Sequence, residues 1–182
     1  MKKSHALPII VGIILCSIAS ADNADVILKA NGVYQFASSA GYRTNCLGFG
    51  LAAEKHIGYS QKSVLLTFNY LIRIDDVDYV EVLGDVYYFS LGGRQYFSYE
   101  NPMTGPYGGI TMGVGIPQER GVYWDVIFLL GYQVIRDKLA VDFNAGIGYG
   151  VLQWREERPY GDIYLWHDGF VFKPNISIGI KF

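Results

Sequence analysis

Large apolar residues alternate with small or polar ones along most of this chain, and the final segment shows the alternation most plainly. Phe170, Phe172, Ile176, Ile178, Ile180 and Phe182 share one parity, while Lys173, Asn175, Ser177, Gly179 and Lys181 share the other. Helical faces recur about every 3.6 residues, so a helix cannot sort residues this way, whereas successive side chains of a strand point to opposite sides. The preceding segment repeats it, with Leu139, Val141, Phe143, Ala145, Ile147, Tyr149 and Val151 set against Ala140, Asp142, Asn144, Gly146, Gly148 and Gly150. Even positions from Trp124 to Val134 oppose Asp125, Gly131 and Gln133, and those from Ile110 to Ile116 oppose Gly109, Thr111, Gly113 and Gly115. Val64 to Ile72 alternates with Thr67, Asn69 and Arg73, and Leu47 to Ala53 with Gly48, Gly50, Glu54 and His56. The pattern is weakest over 26–36 and 79–97, where both parities hold aromatics.

These runs predict eight strands, at 26–37, 45–57, 63–75, 79–97, 106–117, 122–135, 139–154 and 168–182. Each reaches the roughly 9–11 residues with which a tilted strand crosses a bilayer, and an even count suits a closed transmembrane barrel. A soluble sandwich or lipocalin-like barrel would alternate too, with its apolar parity turned inward and its charged parity outward. Here the minority parity is mostly glycine with isolated charges, which fits the narrow lumen of eight strands better than a water-facing sheet. The fold class expected is therefore all-β: a transmembrane up-and-down antiparallel β-barrel of about eight strands.

Composition agrees. Charged residues make up 18% of the 182, below the roughly 25% of an average soluble domain, and the mean hydropathy is +0.17. After the start, no uncharged apolar run approaches the roughly 20 residues of a membrane-spanning helix. The start itself reads as a Sec-type signal peptide: Lys2 and Lys3, an apolar stretch from Ala6 to Ile18, and the small-x-small site Ala19-Ser20-Ala21. The expected organisation is a cleaved segment 1–21 followed by one barrel domain over 22–182. Cleavage removes two lysines and moves the formal net charge from −2 to −4, which argues against a nucleic-acid partner. It leaves Cys46 as the one thiol, so neither an intramolecular disulfide nor a cysteine metal site is expected. No cofactor is implied.

The parities assign residues to places. Lys29, Glu54, Arg73, Arg94, Asp125, Asp142 and Lys173 are expected to form a polar network in the lumen, with Arg94 and Lys173 paired to carboxylates such as Asp125, Asp142 or Glu54. If both termini lie in the periplasm, Trp124, Trp154 and Trp166 fall at extracellular strand ends. Phe97, Tyr107, Tyr132, Phe143 and Phe182 then fall at the other end, giving an aromatic girdle at each interface. Trp154 carries the parity of Asp142, which calls for a bulge or a fraying strand end there. Tight turns are expected at Arg136-Asp137-Lys138 and around Asn101 to Gly105, and the longest polar connection from Glu156 to Asp168.

The chain ends on Phe182, with Ile180, Ile178 and Ile176 at alternate positions before it. This resembles the C-terminal signal of bacterial outer-membrane barrels, which implies recognition by the barrel-assembly machinery. The whole chain resembles the small eight-stranded outer-membrane barrels typified by OmpX and the OmpA transmembrane domain. It is more closely similar to an uncharacterised family that carries Gly93-Arg94-Gln95-Tyr96-Phe97, Gly131-Tyr132-Gln133 and Gly146-Ile147-Gly148-Tyr149-Gly150. The resemblance implies a place in the bacterial outer membrane, among its lipid and lipopolysaccharide, and supplies no reaction.

Catalysis has little to stand on. Past residue 21 only His56 and His167 remain. The deacylase-type barrels carry a His-x-Ser-Asn run that this sequence lacks, and neither Ser90 nor Ser98 has a histidine partner on its side. Asp75, Asp76 and Asp78 lack the ligand spacing of a known calcium loop, and the run Arg155 to Arg158 reads as a solvated loop. The expectation is a monomeric, non-enzymatic barrel with a structural or interaction role through its external loops. A narrow pore or carrier of a small hydrophobic molecule, and a lipid A-modifying enzyme, are the alternatives.

Overall fold

The computed structural model describes residues 25–39, 42–58, 60–74, 85–98, 102–118, 121–156 and 163–182, with side chains left out at 39, 42, 154–156 and 163–167. The expected signal segment 1–21, the Asp75, Asp76 and Asp78 cluster, and Glu157 with Arg158 lie outside these residues. Eight strands follow in chain order: β1 (Val26–Ser39), β2 (Tyr42–His56), β3 (Lys62–Arg73), β4 (Val86–Tyr96), β5 (Gly105–Pro117), β6 (Val122–Arg136), β7 (Leu139–Glu156) and β8 (Ile163–Lys181). Each pairs antiparallel with the next, and β8 pairs with β1, so the sheet closes into an up-and-down barrel.

Closure fixes the tilt. Stepping once around the barrel through paired residues, from Ile27 to Glu54, Leu65, Gly92, Thr111, Ile127, Gly148 and Val171, returns to β1 at Ala37. The ten-residue offset between Ile27 and Ala37 tilts the strands by about 40° from the axis, given ordinary strand rise and spacing. Among the described residues no bulge interrupts a ladder; β7 pairs with β6 as far as Gln153 and with β8 through Trp154, opposite Leu165. Of the two irregularities expected at Trp154, the bulge is absent, and the residue lies one position past the end of the β6 ladder. The β1–β8 seam skips Lys173 and Pro174, resuming at Phe172 opposite Phe36; proline has no N–H to give to a ladder.

The parity of the sequence becomes inside and outside. Leu91, Met112, Phe128, Leu130, Ile147 and Ile178 are among the large apolar side chains turned outward, and Leu130 is 72% exposed. Lys29, Glu54, Arg94, Asp125 and Asp142 are buried. A water-soluble barrel would reverse this arrangement, because an outward belt of apolar side chains is stable only against hydrocarbon. In β1 and β4, where the sequence was least legible, the inner residues are Ile27, Lys29, Asn31, Val33 and Gln35, and Val86, Tyr88, Ser90, Arg94 and Tyr96.

The expected start of β8 moves. β8 begins at Ile163 rather than 168, because residues 163–168 continue the ladder with β7, up to Ile163 opposite Glu156. The β7–β8 connection is therefore only 157–162, not the long polar loop anticipated. β4 begins at Val86 among the described residues; the expected start at 79 lies outside them. At the end holding the termini, Asp137 and Lys138 make the β6–β7 turn and Asp137 takes φ 56°. Phe182 donates its N–H to Val26 O at 2.9 Å, which fastens the last residue to the first strand.

Candidate functional site in the barrel lumen

Near the end that carries the termini, four strands each send one charge inward. Lys29 (β1) places Nζ 2.5 Å from Glu54 Oε2 (β2) and 2.9 Å from Asp142 Oδ2 (β7). Arg94 (β4) places Nη1 3.1 Å from the same Glu54 oxygen and 2.7 Å from the same Asp142 oxygen. Two cations and two carboxylates therefore form a closed square whose formal charges cancel. All four side chains are almost wholly buried. The other carboxylate oxygens are also satisfied: Ser63 and Tyr96 donate to Glu54 Oε1 at 2.5 and 2.6 Å, and Tyr107 donates to Asp142 Oδ1 at 2.7 Å. This saturation is what makes buried charge tolerable, since every unpaired lone pair there would carry a desolvation cost.

Tyrosines and a turn close the square from below. The Tyr107 ring lies under Arg94, 4.3 Å from Cζ to the centroid, and packs 5.2 Å from the Tyr96 ring. Lys29 also donates to Gln133 Oε1, and Gln133 Nε2 donates to Met103 O at 2.7 Å. Met103 belongs to the β4–β5 turn, is fully buried with Ile27, Tyr96, Tyr107 and Ala140, and holds φ 63°. An unbranched apolar residue in that left-handed conformation is uncommon; burial of its side chain and the bond from Gln133 hold it there.

A second cluster sits further along the barrel. Lys173 Nζ (β8) lies 2.8 Å from Asp125 Oδ2 (β6) and 3.8 Å above the Tyr88 ring. Tyr88 donates to Asp125 Oδ1 at 2.7 Å and Tyr123 to Oδ2 at 2.8 Å. Val33, Cys46, Leu71, Val86 and Leu152 pack with these two tyrosines. A chamber of about 50 Å³ lies between the clusters.

Six of the seven charges assigned to the lumen thus meet in two clusters. Arg73, the seventh, is half-buried at the last position of β3. Of the girdle residues, Trp124, Phe97, Tyr132, Phe143 and Phe182 are exposed on the outer wall. Tyr107 is not: it is fully buried in the lumen, bonded to Asp142, and its girdle assignment is corrected. It shares the inward parity of Gly109 and Thr111. Trp154 and Trp166 lie within β7 and β8, but their side chains are outside the described residues, as is that of His167, whose backbone pairs with Leu152. His56 Nε2 lies 2.5 Å from Ser60 O in the β2–β3 turn. Ile176, Ile178, Ile180 and Phe182 all point outward. Sequence reasoning missed Ser63, Tyr88, Tyr96, Tyr123 and Gln133 as members of the network, although each has the parity of a neighbouring lumen charge.

No protein-family model and no curated protein matches this chain. Among solved structures, the outer membrane protein AlkL, determined by solid-state NMR in DMPC bilayers, aligns with a TM-score of 0.53 at 11% identity, over 87% of this chain and 89% of its own. The crystal structure of Neisserial surface protein A aligns at 0.48 and 11% identity, over 86% and 95%. The fold is that of the small eight-stranded outer-membrane barrels.

Proposed function

We propose that this chain is a bacterial outer-membrane barrel, delivered by its N-terminal signal segment, that acts as a structural or interaction protein through its external loops and catalyses no reaction. The observation that carries the reading is the occlusion of the lumen. Lys29, Glu54, Arg94 and Asp142 bond to one another across it, and Met103 is buried beneath them. An eight-stranded interior has room for side chains and little more, and here those side chains are locked together.

The outer belt of exposed aliphatic and aromatic residues supports insertion in lipid. The two-residue turn at Asp137 and Lys138 supports a periplasmic position for the termini, because such barrels keep periplasmic turns short. Outward Ile176, Ile178, Ile180 and Phe182 support recognition of the last strand by the assembly machinery, and the loops would meet lipopolysaccharide or a partner.

The test is in vitro. Mature protein refolded in detergent should migrate faster unheated than boiled, its tryptophan emission should be quenched by brominated lipid, and planar bilayers containing it should stay electrically silent. Stable conductance steps would instead support the narrow-pore reading. A lipid A mass shift on overexpression, abolished by His167→Ala, would support the enzymatic one.

A further inference from the structure

We propose that the chamber between the two ion clusters is a binding site for a small inorganic anion, of the size and charge of a halide. The chamber is polarised by the way the clusters face it. Lys29, Arg94 and Lys173 all line it, whereas none of Glu54, Asp125 or Asp142 does. Each carboxylate turns away, with both oxygens already accepting from tyrosine, serine, lysine or arginine. The clusters are neutral as wholes, but the charged residues they contribute to the chamber wall are their cations. In a low-dielectric interior that arrangement attracts an anion from two sides.

The remaining hydrogen-bonding capacity has the same sign. Among the described residues lining the chamber, the buried side-chain atoms without a partner are Arg94 Nε, Asn144 Nδ2 and Ser177 Oγ, three groups that can donate. All three residues are at least nine-tenths buried. No buried carbonyl or carboxylate oxygen of the lining is left in that state. A surplus of buried donors around a small space is satisfied by an acceptor, and water supplies as many donors as acceptors. About 50 Å³ exceeds by a few-fold the roughly 10–15 Å³ that one water needs on the same measure. It accommodates a halide with a little of its hydration and excludes an organic acid.

The experiment uses the full mature chain refolded in bromide, and in gluconate at equal ionic strength. Crystals grown from bromide should give an anomalous peak in the chamber, within hydrogen-bond reach of Lys173 Nζ or Asn144 Nδ2. The folded band should survive to a higher temperature in chloride or bromide than in gluconate, with a shift that saturates as halide rises. Asn144→Leu should abolish that shift. Should Asn144→Leu fail to fold, Ser177→Ala, which removes one hydroxyl without stranding a charge, should fold and weaken the halide dependence. A chamber without an anomalous peak, melting curves that coincide in halide and gluconate, or a halide shift unchanged in the variant that folds would each overturn the site.

Discussion

Arg94 on β4 reaches through the lumen to Asp142 on β7, Nη1 to Oδ2 2.7 Å, and meets there the same carboxylate oxygen that Lys29 holds from β1 at 2.9 Å. Strands that do not touch through the sheet are thereby tied through the interior. Replacing Arg94 by Ala leaves two buried carboxylates facing one lysine. The expected cost is about 3–5 kcal/mol, the range for an uncompensated buried charge. Pairing Arg94→Met with Asp142→Asn removes one charge of each sign, leaves the Lys29–Glu54 pair neutral, and should recover part of the loss. Urea titration of the heat-modifiable band checks this; a double variant as unstable as the two single losses added together would show the four charges to be independent.

Tyr107 on β5 pairs with Gly131, the residue before Tyr132 on β6, yet the two tyrosines face opposite sides of the wall. Tyr107 is fully buried and donates to Asp142, while Tyr132 is 52% exposed on the outer surface. Removing the Tyr107 hydroxyl strips a charge-assisted bond from a buried carboxylate, expected to cost about 1–3 kcal/mol. Tyr132→Phe should change stability by less than about 0.5 kcal/mol, as for a surface site without such a partner. Equal losses in the same urea titration would return Tyr107 to the interface.

The placement of Tyr107 shows where the sequence could be read and where it could not. Parity alone separates Asp125, Asp142 and Lys173 from their apolar neighbours, because a lone charge among glycines has one plausible side. Lumen tyrosines defeat the same reading in β4, where Tyr88 and Tyr96 point inward while Tyr87, Phe89 and Phe97 lie on the other parity. The partners within each cluster were less accessible still. That Lys29 meets Asp142 and Gln133 depends on all eight ladders and the ten-residue offset they accumulate, and no local pattern encodes that offset. The length of β8 was missed because Ile163 to Asp168 mixes apolar and polar residues, and only its pairing with β7 marks it as strand.

Glycine at 113 is required by Tyr88. A Cβ there would stand 1.8 Å from the Tyr88 hydroxyl and 2.3 Å from Cζ, so the ring that caps Asp125 would have to leave. Gly93, one strand away, has nothing nearer than Ser63 O at 3.8 Å. Gly113→Ala is expected to lose about 1–3 kcal/mol by overpacking, and Gly93→Ala to be close to neutral. Tyrosine absorbance in the folded state offers a second readout, since displacement of Tyr88 from Asp125 should alter its spectrum only in the Gly113 variant.

The outer belt gives the most direct test of where the barrel resides. Leu130 sits near the middle of β6 and is 72% exposed, while its neighbour Leu129 is buried in the lumen. In hydrocarbon, an arginine at 130 must bring charge to the depth where a barrel wall tolerates it least, at an expected cost of about 2–4 kcal/mol. The same change at Gln95, on the outer parity but one residue from the end of β4, should cost about 0–1 kcal/mol, because the guanidinium reaches the interface. Both variants should be refolded into lipid vesicles and into a detergent micelle. Lipid should amplify the difference between positions 130 and 95, whereas a barrel whose exposed leucines meet water would tolerate Leu130→Arg readily in both.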